Sequence, residues 1–179
     1  MVEWDPDGRE PPSAPLTHPD AVKQVAYTSD SRRLVTGDTA GTIRVWDVET
    51  RALLREFAAG ANVFSLAISP DDELVAVGTV NGWGVWRLDG DGVRVYGATQ
   101  PTSAVYGMRF IEPGRLLVVG ETGRNHGITC HNTRLWRPVG IQTTEHGSMM
   151  GLSGPSATPV VHAVTATGHL TRRVLASPD

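Results

Sequence analysis

The stretch VKQVAYTSDSRRLVTGDTAGTIRVWD, from Val22 to Asp47, decides the fold. Val25 and Tyr27 flank Ala26, and a polar turn follows at Ser29-Asp30-Ser31. A second apolar run ends at Gly37, a turn falls at Ala40-Gly41, and a third run ends on Trp46. A side-chain period of two argues strands, and the Ser, Asp and Gly clusters between the runs supply turn chemistry. The pattern then repeats: VFSLAISPDDELVAVGTVNGWGVWR covers Val63 to Arg87, and VYGMRFIEPGRLLVVGETGRNHGITCHNTRLWR covers Val105 to Arg137. Leu66 and Ile68 flank Ala67, Met108 and Phe110 flank Arg109, and turns fall at Pro70-Asp71-Asp72 and Glu112-Pro113-Gly114. Asn81-Gly82 between apolar runs predicts a type I′ hairpin, whose two central residues both need positive φ. No segment keeps a 3.6-residue period, so the chain is predicted to be all-β.

Trp4, Trp46, Trp86 and Trp136 recur at intervals of about 40 to 50 residues. A unit of that size with four short strands is the signature of a β-propeller blade. The predicted division is the end of a preceding blade over 1–17, blades over 18–57 and 58–98, a blade with an inserted hairpin over 99–141, and a degenerate blade over 142–179. In the last unit SMMGLS, PVVHAVTAT and HLTRRVL read as three strands, with Val174 and Leu175 where a Trp would stand. Val2-Glu3-Trp4-Asp5 matches the third strand of a unit and Ala14-Pro15-Leu16 the fourth, so the third strand occurs at both ends. That phasing predicts a propeller of about four blades that is incomplete or completed by another chain.

The residues TGDTAGTIRVWD (Thr36–Asp47), AISPDDELVAVG (Ala67–Gly78) and LTHPDAV (Leu16–Val22) resemble the WD-repeat (Trp-Asp repeat) β-propeller family. The resemblance implies blades of four antiparallel strands and a non-catalytic platform for assembling other proteins, with no specific partner attached to it. It also implies a buried hydrogen-bond network of His, Ser or Thr, Asp and Trp within a blade. Residue by residue, His18, Thr36 and Trp46 take three of those places, and the Asp place falls on Ala40. The second unit has Ala59, Val77, Asn81 and Trp86, and the third has Pro101 and Val119, so the full network is broken throughout.

Composition narrows the function classes. With 179 residues, 40% hydrophobic and 20% charged, the chain can bury a core and is neither disordered nor membrane-spanning. No apolar run approaches the roughly 20 residues of a membrane helix. A net charge of −3 gives no electrostatic case for nucleic acid. One cysteine excludes an internal disulfide, and the acidic, Pro-rich start MVEWDPDGREPP has no signal-peptide character, so a cytoplasmic protein is expected. Lys23 is the one lysine in an arginine-rich chain, read as a GC-rich bacterial coding bias.

Chemistry has few candidates. The inserted stretch Glu121–Asn132 holds His126, Cys130 and His131, and His146 follows. Imidazole and thiolate suit zinc, but adjacent Cys130 and His131 point opposite ways when extended and no second ligand pair is suitably spaced, so no metal or cofactor is expected and a long polar hairpin is. No nucleophile elbow, phosphate loop, HExxH or GxGxxG occurs, so no enzyme is predicted. Binding is the better reading. Aligning the units puts Lys23, Phe64, Tyr106 and Met150 at one place near the start of each first strand, where they serve either a protein-binding rim or packing between blades. Trp83, beside the Asn81-Gly82 turn, is expected to be partly exposed and to join that rim. The expected partners are other proteins, or a second copy that completes a ring. The alternative is an enzymatic or small-ligand-binding fragment with its site at the central channel, using Arg109, or at the 121–132 loop.

Overall fold

Each apolar run pairs with the next across a short turn, which satisfies its backbone N–H and C=O groups locally. In the computed structural model the chain forms four antiparallel sheets, each with its strands in sequence order. The structure describes residues 15–99, 103–111, 116–123, 127–143, 147–153, 160–165 and 170–174, with side chains described over 15–97, 104–111 and 129–138. The first sheet contains β1 (Val22–Tyr27), β2 (Arg33–Asp38), β3 (Thr42–Asp47) and β4 (Leu53–Ala58). The second contains β5 (Val63–Ile68), β6 (Leu74–Thr79), β7 (Gly82–Arg87) and β8 (Arg94–Thr99). β9 (Ser103–Ile111), β10 (Leu116–Gly123), β11 (Gly127–Asn132) and β12 (Arg137–Thr143) make the third. β13 (Gly147–Ser153), β14 (Val160–Thr165) and β15 (Leu170–Val174) make a fourth sheet of three described strands. The ends predicted to supply extra strands, Val2–Asp5 and Ala14, lie outside the described residues.

β1, β5, β9 and β13 pack on one another in series, so the sheets follow one another in an arc that does not close into a ring among the described residues. Each sheet therefore has a leading face toward its predecessor and a trailing face toward its successor. Val35, Ile43, Val45 and Phe57 on the trailing face of the first sheet bury themselves against Val63, Val77, Trp86 and Leu88 of the second. Ala76, Trp83 and Val85 do the same against Val105, Met108 and Phe110 of the third. Burying each such large side chain stabilises the stack by roughly 1.5–3 kcal/mol. A smaller core of Leu16, Leu34 and Trp46 lies on the leading face of the first sheet, covered among the described residues by the segment Pro15–Asp20. The sheets come so close that glycine is needed at the contact. A Cβ on Gly37 would sit 2.8 Å from Val63 Cγ1, and one on Gly78 2.7 Å from Val105 Cγ1.

The rim adds a polar latch. The backbone N–H of Ser29 donates to both carboxylate oxygens of Asp72 at 2.8 and 3.0 Å, and its hydroxyl donates at 2.6 Å. Ser31 and Asp72 occupy the same place in the first turn of their sheets, both in the left-handed region at φ 59° and 58°.

One sequence expectation changes. β6 and β7 close on the pair Thr79–Gly82, so the loop residues are Val80 and Asn81, and positive φ falls on Gly82 alone at 115°. This is not a type I′ turn: the Thr79 hydroxyl donates to the Gly82 carbonyl and accepts from the Asn81 N–H, holding a different geometry. The described residues of the inserted stretch in the third unit lie on β10 and β11. They lengthen the hairpin, since Thr122 and Gly123 pair with Ala104 and Ser103 and residues 127–132 belong to β11.

Candidate functional site

One feature recurs at the same place of every first strand. Val22 pairs with Asp38 and Gln24 with Gly37, leaving Lys23 as the extra residue of a β-bulge. Phe64 lies between the pairs Val63–Thr79 and Ser65–Gly78, and Tyr106 between Val105–Glu121 and Gly107–Gly120. A bulge twists the strand and re-aims the unpaired residue, which lifts it out of the inward and outward alternation. Lys23 is exposed, Phe64 half-buried, and Tyr106 is 49% exposed. Phe64 and Tyr106 stack with ring centroids 4.9 Å apart and planes 8° from parallel. An aromatic ledge is thus presented on strands fixed by the core, with Lys23 at the equivalent bulge of the first sheet.

In the fourth sheet the bulge lies between the pairs Gly147–Thr165 and Met149–Val164, so the equivalent residue is Ser148 and the Met150 alignment is corrected. The partial exposure expected of Trp83 is corrected as well. Its register puts it on the trailing face of the second sheet, where it is 3% exposed and packs edge-on against Tyr96 and His131. It belongs to the core between sheets and offers nothing to a partner.

A second constellation lies on the leading face of the first sheet. His18 Nδ1 is 3.1 Å from the Leu16 carbonyl, which can only accept, so Nδ1 carries the proton. Nε2, 2.9 Å from Thr36 Oγ1, then accepts from that hydroxyl. The Trp46 indole N–H donates to the same oxygen at 3.0 Å. The structure thus brings His18, Thr36 and Trp46 together. The fourth place holds Ala40, and a different polar pair stands beside the three. Asp38, fully buried, accepts from the Thr42 N–H at 2.8 Å and pairs with Arg44 Nη1 at 2.8 Å, while Arg44 Nε reaches Glu56 at 2.7 Å. Burial holds the His18 imidazole below its ordinary pKa, with the Arg44 charge acting in the same direction.

The thiol and imidazole of the third sheet have no catalytic arrangement. Burial pushes the Cys130 thiol up, away from a reactive thiolate. His131 is buried, its Nε2 lies 3.0 Å from Thr129 Oγ1, its Nδ1 has no hydrogen-bond partner, and burial lowers its pKa. Among the described residues no group of three His, Cys, Asp or Glu side chains could hold a metal ion; His126 and His146 lie outside them. No helix among the described residues is long and apolar enough to cross a membrane.

Sequence reasoning found the rim position but not the bulge that makes it one. The available signal was the extra residue between Val22 and Gln24 relative to the pleat, which shows only once the pairing partner is known. Asp38 was also missed, because the family pattern directs attention to residue 40.

A family model described as "WD domain, G-beta repeat" matches residues 12–47. The chain is 29% identical over 116 residues to the Transcription factor unc-37 of Caenorhabditis elegans, covering 65% of this chain and 18% of that protein. It is 35% identical over 99 residues to Autophagy-related protein 18 of Meyerozyma guilliermondii, covering 51% of this chain and 17% of that one. Among solved structures, a chain of a mitotic checkpoint complex superposes with a TM-score of 0.74 at 20% identity, over 94% of this chain and 57% of that chain. The RRP9 WD40 repeats superpose with a TM-score of 0.72 at 18% identity, over 90% of this chain and 52% of theirs. The chain spans less than a fifth of these curated relatives and a little over half of these solved chains.

Proposed function

Since the chain has the fold of the WD-repeat β-propellers and carries a matched repeat over residues 12–47, we propose that it is a non-catalytic scaffold that binds another protein through its bulge-lined rim. The observation that carries this reading is the stacked Phe64–Tyr106 pair, held out of the sheet alternation by recurrent bulges, with Lys23 at the equivalent bulge of the first sheet. Rigid aromatic side chains lose little entropy on binding and dominate protein interfaces, and an exposed lysine at the equivalent bulge of the first sheet favours an acidic partner segment. The net charge of −3 supports a protein partner over a nucleic acid.

Affinity capture followed by mass spectrometry, with wild type beside Phe64→Ala, Tyr106→Ala and Lys23→Glu, tests the reading. Tyr106→Ala is expected to weaken the captured partner by about tenfold or more without shifting the melting temperature. Retention of every partner by all three variants would sink it. The alternative, an enzymatic or small-ligand site in the 121–132 stretch or the channel, has less support, because Cys130 is half-buried with its thiol pKa raised by desolvation and His131 packs into an aromatic cluster. Metal analysis of wild type beside a C130S/H131A variant checks it: a stoichiometric metal lost on mutation would favour the alternative.

A further inference from the structure

In the third sheet His131, not Trp136, holds the register position of Trp46 and Trp86: it pairs with Leu117 as they pair with Leu34 and Val75. Trp136 stands instead in the turn between β11 and β12, at φ 50°, a conformation that bulky residues rarely take. It lies half-buried on Tyr96 of the second sheet, with ring centroids 5.0 Å apart and planes 28° from parallel. Asn132 Oδ1 accepts from the N–H groups of Arg134 and Leu135 at 2.9 Å each, so the turn is held from within.

The equivalent turns of the first two sheets tuck an apolar side chain inward. Val48 packs on Leu16, Leu34 and Trp46, and Leu88 is 1% exposed in the core between the first two sheets. Thr133 has that place in the third turn, and the apolar residue comes two positions later as Leu135, 59% exposed. On β8, next to Tyr96, Val95 is the extra residue of a bulge between the pairs Trp86–Arg94 and Val85–Tyr96, and it too is exposed. The second and third sheets each have a sheet packed on either side, so these side chains face water in their packed setting.

Arg134 and Arg137, both exposed, flank Leu135 and Trp136, and no carboxylate occurs from Thr122 to Thr144. The turn of the second sheet does carry Asp89 and Asp91, but Asp89 pairs with Arg87 and Asp91 accepts from the Val93 N–H. In a chain of net charge −3 the third turn is therefore a local basic and apolar prominence. Trp and Arg are the residue types enriched among the anchors of protein interfaces. The turn lies at the far end of the strands from the bulge-lined rim. Asn132 pairs with Leu116 and Leu116 with Ile111, which is about 17 Å beyond Tyr106 along β9.

We propose that the turn Asn132–Arg137, with Val95 and Tyr96 beside it, is a second docking surface. It takes an acidic segment of a partner protein, whose apolar side chain covers Leu135 and Trp136 while its carboxylates meet Arg134 and Arg137. Two arginines are too few to hold the chain on a lipid surface, and the net negative charge opposes a nucleic acid. This surface is separate from the Phe64–Tyr106 ledge, and the two readings stand or fall apart.

Panning a random peptide library displayed on phage against the full chain tests it. Enriched peptides are expected to carry Asp or Glu around a Leu, Phe or Trp, and to bind at about 0.3 M salt, where surface charge alone is screened. Arg134→Glu/Arg137→Glu and, separately, Leu135→Ser are each expected to weaken the tightest such peptide about tenfold or more. All three side chains are exposed, so both variants are expected to melt within a few degrees of wild type. A variant that melts far lower would show its side chain engaged by the chain itself and would overturn the proposal. Failure to enrich acidic peptides, or enriched peptides that bind both variants undiminished, would overturn it as well. Peptides that answer only to Tyr106→Ala belong to the ledge and count against it. So does binding of phosphatidylserine vesicles or single-stranded DNA through Arg134 and Arg137 when no acidic peptide binds there.

Discussion

Trp46 and Trp86 hold the same register position in adjacent sheets, cross-strand from Leu34 and Val75, and both are buried, yet their surroundings are opposite in kind. Around Trp46 stand Thr36, Asp38 and Arg44, with His18 above, its ring 5.1 Å away. The corresponding residues around Trp86 are Val77, Thr79 and Gly84, and the ring stacks on Phe57 of the preceding sheet at 5.6 Å. Gly84 is part of the same solution, because a Cβ there would lie 2.6 Å from the Trp86 ring. The difference follows from what lies in front of each sheet. A sheet packed on another sheet closes its leading face with apolar matter; the first sheet, covered among the described residues by Pro15–Asp20, adds hydrogen bonds and an ion pair to a small apolar core.

The largest expected effects set the two solutions against each other. Trp86→Ala removes a ring shared by two sheets and is expected to cost about 3–5 kcal/mol in urea unfolding. Asp38→Ala strands the Arg44 guanidinium, whose remaining partner Glu56 is half-exposed, and is expected to cost a similar 3–5 kcal/mol. Thr79→Ala at the equivalent position of the second sheet loses only a turn hydrogen bond or two, about 1 kcal/mol. Equal costs at residues 38 and 79 would abolish the contrast.

Next come the exchanges. Thr36→Val leaves the Trp46 N–H and the His18 nitrogen without their shared partner and is expected to cost about 1–3 kcal/mol. Val77→Thr, the reverse change, buries a hydroxyl in an apolar interface and is expected to cost about the same. A neutral result for either, read from denaturation midpoints at unchanged slope, would mean that the leading faces are interchangeable.

A pH series separates the two ends of the described molecule. His18 and His131 both have pKa values lowered by burial, so the unfolded chain binds protons that the folded chain refuses. Stability is therefore expected to be fully present above the ordinary histidine value of about 6.5 and to fall as pH drops below it toward the folded values. His131→Gln and His18→Gln should each flatten part of that slope. If neither did, the loss on acidification would belong to carboxylates such as Asp30 and Asp47, whose pKa values lie below normal and whose window is lower, near pH 4 and beneath.

The strands and their order were legible in the sequence because alternation, Gly and Trp spacing all report the same pleat. What lay outside it were features that depend on a partner strand. Phe64 and Tyr106 were placed correctly along their strands, but their extra-residue status exists only relative to Thr79–Gly78 and Glu121–Gly120. Closeness to a turn suggests exposure for Trp83, whereas its pairing with Gly78 fixes it on a buried face. Asp38 has a separate role, because a carboxylate there reaches both the Thr42 N–H and Arg44 across one hairpin while both ring nitrogens of His18 are taken by Leu16 and Thr36.

The smallest expected effect concerns the latch between the first two sheets. Asp72→Ala removes three hydrogen bonds to Ser29, but they lie at an exposed rim where water replaces them, so the cost is expected to stay below about 1 kcal/mol. The substitution also puts alanine at φ 58°, a conformation an aspartate tolerates better, and Asp72→Asn separates the two contributions by keeping the backbone preference while weakening the acceptor. Ser29→Ala should cost less than Asp72→Ala, because its backbone N–H still reaches the carboxylate. Should Asp72→Ala rival Trp86→Ala in a melting series, the first two sheets would be held together at their rim and not through the apolar contact that distinguishes Trp86 from Trp46.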